Sequence, residues 1–158
     1  MKTILTAITC YCLTLIACLA ANITDKLSAE TVAAIRLPEG GAGQWATGIG
    51  ASYSANKFVA VTARVLSYEP ANGSGNLVDE ASAGVEAKLL KSANGKLGLN
   101  AIGGVKYGFE LEDWGMALGG RATASVYGPL YAFGESEWIV WQEQPQELRL
   151  SFGVGIKF

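Results

Sequence analysis

Apolar and polar residues alternate with period two along most of this chain. The clearest run is "LRLSFGVGIKF", where Leu148, Leu150, Phe152, Val154, Ile156 and Phe158 interleave with Arg149, Ser151, Gly153, Gly155 and Lys157. Successive side chains of a strand point to opposite faces, so the large apolar groups share one face and small or charged groups the other. Residues 80–89 set Ala81, Ala83, Val85, Ala87 and Leu89 against Glu80, Ser82, Gly84, Glu86 and Lys88. Residues 97–107 and 115–126 repeat the code, and 45–54 and 57–68 fit it. Residues 130–138 alternate less cleanly. Residues 30–37, "ETVAAIRL", carry the weakest signal and read either as a strand or as the end of a short helix begun near Asp25. Counting that segment predicts eight strands, most about as long as the 9–11 residues a tilted strand needs to cross a bilayer.

The connections add a second pattern. Ala55-Asn56, "KSANGK" around Asn94-Gly95, and Tyr127-Gly128-Pro129 are tight turns. "PEGGAGQ", "EPANGSGNLVD", "GFELEDW" and residues 139–146 are longer and richer in Gly, Pro and acids. Tight and long alternate, which is the asymmetry of outer-membrane barrels, with short periplasmic turns and longer outside loops. Trp45, Trp114, Trp138 and Trp141 fall at strand ends flanking the long loops, and Tyr53, Phe58, Tyr127, Tyr131 and Phe158 at the turn side. Two interfacial aromatic belts are expected.

Alternation alone describes equally a soluble, lipocalin-like barrel with its apolar face inward. Residue size separates the two. The polar face holds Gly48, Gly50, Gly84, Gly98, Gly104, Gly119, Gly153 and Gly155, with charges at Arg64, Glu86, Lys88, Lys106, Arg121, Glu135 and Arg149. An eight-stranded barrel has an interior just wide enough for side chains to fill, which suits small residues and a few paired long ones. The apolar face therefore points outward, into hydrocarbon. If Val126 and Leu130 are partners across the Gly128-Pro129 turn, the register puts Arg121 opposite Glu135. The expected interior charge network is Arg64, Glu86, Arg121, Glu135 and Arg149, read as a charge-compensated plug in preference to an ion path.

Composition changes the picture at the N-terminus. Only 16% of residues are charged, low for a soluble surface. "MKTILTAITCYCLTLIACLAAN" has one Lys, an apolar stretch from Ile4 to Leu19 and small residues at Cys18, Ala20 and Ala21. That is the layout of a secretory signal peptide, residues 1–21, followed by a barrel domain over 22–158. A second reading makes Leu15-Ile16-Ala17-Cys18 a lipobox with Cys18 lipidated. Cys10, Cys12 and Cys18 all lie in this segment, so cleavage leaves no cysteine and no disulfide. It also leaves 11 basic against 14 acidic residues, a formal charge of −3, and nothing in that balance points to nucleic acid.

A cleavable leader, about eight amphipathic strands and a terminal strand "LRLSFGVGIKF" ending in Phe resemble the small outer-membrane β-barrel proteins of the OmpA transmembrane-domain and OmpX type. The resemblance is one of pattern across the mature chain. It implies an all-β, eight-stranded, antiparallel up-and-down transmembrane barrel in the outer membrane of a Gram-negative bacterium, or encoded by a phage infecting one. It also implies that Phe152, Val154, Ile156 and Phe158 match the spacing of the signal read by the outer-membrane assembly machinery. The implied partners are outer-membrane lipid and lipopolysaccharide, and the implied state is a monomer.

Chemistry narrows the function further. The chain has no His, which removes the general base on which barrel lipases, acyltransferases and proteases rely. Without His or mature Cys a typical zinc or iron site is not expected, and no cofactor is. "FELED" reads as a solvated acidic loop. Gly40-Gly41-Ala42-Gly43 lacks P-loop spacing. The leading expectation is a structural or surface-interaction barrel, not an enzyme. The alternatives are a narrow transport or small-ligand barrel and a soluble or lipid-anchored one.

Overall fold

The structure, a computed structural model, describes residues 26–68, 78–109 and 111–158. The expected leader 1–21 with its cysteines, the connection 69–77 and Glu110 lie outside them. The elements are β1 (Leu27–Pro38), β2 (Gln44–Ser54), β3 (Val59–Tyr68), β4 (Glu80–Lys91), β5 (Leu97–Gly108), β6 (Asp113–Tyr127), β7 (Leu130–Trp141) and β8 (Glu147–Lys157). Each pairs antiparallel with the next, and β8 pairs with β1 to close the barrel. Closure leaves no sheet edge unpaired. The segment weakest in sequence is a strand from Leu27 and not the end of a helix.

Turn chemistry sets the hairpins. The Asn56 side-chain oxygen accepts the backbone N–H of Phe58 and Val59 at 2.8 and 2.9 Å. Between β4 and β5, the Ser92 hydroxyl accepts Leu97 N–H at 2.9 Å, and Gly95 takes the left-handed conformation, φ 70°. Between β6 and β7 the partners are Tyr127 and Leu130, not Val126 and Leu130, because a register shift between Ser125 and Tyr127 absorbs one residue. Beyond that shift Arg121 stands opposite Glu135. The strands also run further than the alternation suggested. β6 begins at Asp113 and β7 continues to Trp141, so the β5–β6 and β7–β8 connections shrink to 109–112 and 142–146. The contrast between tight and long connections is correspondingly smaller, with 69–79 the long one.

Along β8, Leu150, Phe152, Val154 and Ile156 are 42%, 51%, 58% and 37% exposed, while Arg149 and Ser151 are buried. On β6, Met116 and Leu118 are more than 70% exposed and Arg121 is 2% exposed. The lipocalin-like arrangement, apolar residues inward, is the reverse of this.

β7 explains its own untidy alternation. Its inward face carries Tyr131, Phe133, Ile139 and Trp141 beside Glu135 and Glu137, and its outward face includes Gly134 and Ser136. Tyr131 and Phe133 lie directly across from Gly155 and Gly153. A Cβ on Gly153 would come 2.8 Å from the Phe133 ring. The bare glycines make room for rings that cover the exposed backbone, the cross-strand device known as aromatic rescue.

Candidate functional site: a packed lumen with two ion clusters

Inward positions of seven of the eight strands, all but β2, converge on two groups of charges. The first lies between the middle of the barrel and the end formed by the tight turns. Arg64 donates to Glu135 through both terminal guanidinium nitrogens, the second bond at 3.1 Å, and approaches Glu30 at 3.6 Å. Arg121 pairs with Glu30 at 2.5 Å, Glu86 at 3.5 Å and Glu135 at 3.8 Å. Neutral donors fill remaining sites: the Tyr131 hydroxyl donates to Glu30 at 2.6 Å and the Asn100 amide to Glu86 at 2.8 Å. The Arg121 guanidinium sits over the Phe133 ring, 4.0 Å from its centre, a cation–π contact inside a desolvated space.

The second group occupies the long-loop end. Arg149, fully buried, grips Glu80 through two bonds of 2.5 and 2.7 Å and reaches Glu147 at 2.5 Å. Glu147 also holds Arg36 at 2.9 Å. Lys106 bridges Glu137 at 2.9 Å and Glu80 at 3.8 Å, and the Tyr68 hydroxyl donates to Glu80 at 2.9 Å. Such bidentate, charge-assisted contacts are the strong kind and offset much of the cost of holding charge out of water.

Arg64, Glu86, Arg121 and Glu135 are thus brought together, and Arg149 is not with them. It belongs to the other cluster, because its place near the start of β8 puts it at the opposite end of the barrel. Glu30 is the carboxylate that sequence reasoning missed in the first cluster. It opens the ambiguous segment of β1, where Val32 and Ala34 share its inward face and blur the alternation. Its one available signal was the period of Thr31, Ala33, Ile35 and Leu37, which places Glu30 and Arg36 on the opposite side.

Apolar packing completes the fill. Val32, Ala34, Ala46, Leu66, Tyr131 and Phe133 form one buried cluster, and Ala117, Ile139 and Trp141 another. Trp141, expected in an interfacial belt, is therefore a lumen residue. The strand extends to it in phase with Glu135 and Glu137, and Gly115 leaves space for its ring. Trp45, Trp114 and Trp138 point outward at about half exposure. Phe152, Val154, Ile156 and Phe158 also face outward. The space left where the two ion clusters meet, lined by Arg64, Lys106, Arg121, Glu135 and Glu137, is about 40 Å³, enough for little more than a water or two.

No family model and no curated protein matches the sequence. Solved structures do. A de novo designed transmembrane β-barrel aligns with TM-score 0.61 at 17% identity, over 85% of this chain and 96% of that one. The attachment invasion locus protein Ail of Yersinia pestis aligns with TM-score 0.54 at 12% identity, over 84% of this chain and 97% of that one. The solution structure of the designed barrel TMB2.3 aligns with TM-score 0.54 at 17% identity, over 85% and 94%. At these identities the likeness is one of fold: the eight-stranded closed barrel of transmembrane proteins.

Proposed function

We propose that this chain is a small outer-membrane β-barrel of a Gram-negative bacterium, spanning the membrane as a monomer with a side-chain-filled lumen and serving a structural or surface-interaction role. The observation that carries the reading is the inversion of an ordinary soluble protein: charges lie buried on the axis, while large apolar side chains from every strand are exposed around the outside. An apolar surface of that extent is stable only against hydrocarbon, and a closed barrel satisfies the backbone groups that lipid cannot. Trp45, Trp114 and Trp138 at the long-loop end, with Tyr53, Phe58, Tyr127 and Phe158 at the other, would then sit at the two headgroup levels. The outward-facing Phe152, Val154, Ile156 and Phe158 of β8 are in this reading the segment met by the assembly machinery. The role is non-enzymatic, carried by the loops at the lipopolysaccharide face.

The experiment is fractionation of the tagged full-length chain expressed in a Gram-negative host. Recovery in the outer-membrane fraction after a carbonate wash, with a gel mobility that changes on boiling, is the expected result. Recovery as a soluble protein without detergent overturns the proposal. A Phe158→Ala chain that reaches the membrane as efficiently as wild type would remove the assembly role alone.

A further inference from the structure

The lysines that the lumenal clusters leave over are gathered in one place. Lys106 is engaged in the second ion cluster. Lys26, Lys57, Lys88, Lys91, Lys96 and Lys157 all line a single open cavity of about 590 Å³ at the turn end of the barrel. They come from the residue just before β1, the β2–β3 turn, the end of β4, the β4–β5 turn and the end of β8. Among the described residues none of the six has a carboxylate at ion-pair distance. The two acids that line the cavity, Glu30 and Glu86, are already committed to Arg121 beneath it. Hydroxyls lie among the ammonium groups: Lys88 donates to Ser54 at 3.2 Å, and Ser28 and Ser52 share a hydrogen bond of 2.6 Å.

Six lysines could instead have spread along the outside of the barrel, their stems on the apolar belt and their heads in water. Converging on one concavity, they repel one another, and the low-dielectric walls focus the resulting field onto whatever enters. A cavity of this size accommodates a small molecule, within the ~300–1,000 Å³ typical of ligand sites. The available donors are point-charge ammonium groups and hydroxyls, since Arg121 is spent on carboxylates. Such a set suits a compact, multiply charged anion, which several point charges can surround at once. The exposed acids Glu39, Glu112 and Glu143 lie at the opposite end, so the attraction is confined to this mouth.

We propose that this vestibule is a binding site for a phosphate-bearing anion. The proposal requires only the closed barrel and goes beyond the structural role. The phosphate arrives either as a soluble polyphosphate or as the headgroup of an anionic phospholipid at the rim.

The test uses the full chain folded in a neutral maltoside detergent, titrated calorimetrically with tripolyphosphate at about 0.15 M salt, where long-range screening is already strong. Saturable one-to-one binding is expected. The Lys88→Gln, Lys91→Gln, Lys96→Gln triple variant should bind at least about tenfold more weakly, a loss of ~1.4 kcal/mol. The corresponding Lys→Arg triple and a Glu39→Gln, Glu143→Gln chain should bind as wild type does. Circular dichroism and heat-dependent gel mobility report separately that each variant is a folded barrel. A repeat in micelles doped with phosphatidylglycerol separates the sources: loss of tripolyphosphate binding identifies the lipid headgroup as occupant, and retention identifies a soluble one. No saturable binding by a folded wild type, or equal affinity in the Lys→Gln triple, overturns the proposal.

Discussion

Arg121 stands directly across from Glu135 in the β6–β7 register, yet the tightest ion pair of each goes elsewhere: Glu135 to Arg64 on β3 and Arg121 to Glu30 on β1. The pair itself is 3.8 Å apart. Neighbouring strands supply height, and the curvature of a closed barrel supplies partners from the far wall. The cluster is therefore a knot of five groups drawn from β1, β3, β4, β6 and β7.

That knot holds Glu30, Glu86 and Glu135 against Arg64 and Arg121, a formal excess of one negative charge. Its two ends should respond unequally to neutralisation. Arg64→Gln leaves three buried carboxylates facing one cation and is expected to cost about 3 kcal/mol, in the range for breaking a buried pair. Glu135→Gln leaves two carboxylates facing two cations and should cost less than about 1 kcal/mol. Urea unfolding of both variants in lipid vesicles measures the difference, and equal losses would contradict the charge balance.

How far this was legible in the sequence depended on how each strand divides large and small residues. β8 and β4 put apolar groups outside and glycine, serine or charge inside, so the faces are legible from alternation alone. β7 reverses the rule at Tyr131 and Phe133, whose rings fill the hollows above Gly155 and Gly153. A ring and a glycine look like two separate irregularities until the register brings them opposite. Parity puts Arg149 in the lumen but carries no height, and only the staggering of the strands separates its cluster from that of Arg121. Strand ends were the least legible part, since Trp141 continues β7 into a stretch that otherwise reads as loop.

Gly153 is held small by two neighbours. A Cβ there would lie 2.8 Å from the Phe133 ring, and the backbone oxygen of Thr31 is closer still. Gly153→Val should destabilise the barrel by about 1–3 kcal/mol, the ordinary cost of overpacking, as read by a lower urea midpoint. Combining it with Phe133→Ala should recover only part of the loss, because the clash with the Thr31 backbone remains. Full recovery would show that the ring alone sets the limit.

The lipid-facing reading predicts a depth profile. Leu118 is 72% exposed near the middle of β6, and Leu97 is 58% exposed at the turn end of β5. In a bilayer, Leu118→Arg should cost about 2–4 kcal/mol and Leu97→Arg about 0–1 kcal/mol. Folding titrations of each variant in phosphatidylcholine vesicles provide the comparison. A protein whose outside faces water would show neither the penalty nor the gradient.

Two ion clusters lie across the lumen, one above the other. One ion knot joins Arg64 and Arg121 to their carboxylates, a second binds Arg149 and Lys106, and between them remains a void of about 40 Å³. An ion crossing the barrel would have to part both sets of pairs, each held in a desolvated space where the attraction is several times that at a surface. The open vestibule at the turn end reaches Glu30 and Arg121 of the first knot. In planar bilayers the wild-type barrel should therefore give no reproducible conductance steps at about 1 M salt, where screening is confined to ~3 Å and does not reach buried pairs. Glu135→Gln should stay closed as well, since the second cluster is untouched. Discrete, repeatable steps from the wild type would show that the two plugs part under voltage, and would move the protein from a sealed scaffold to a transport barrel.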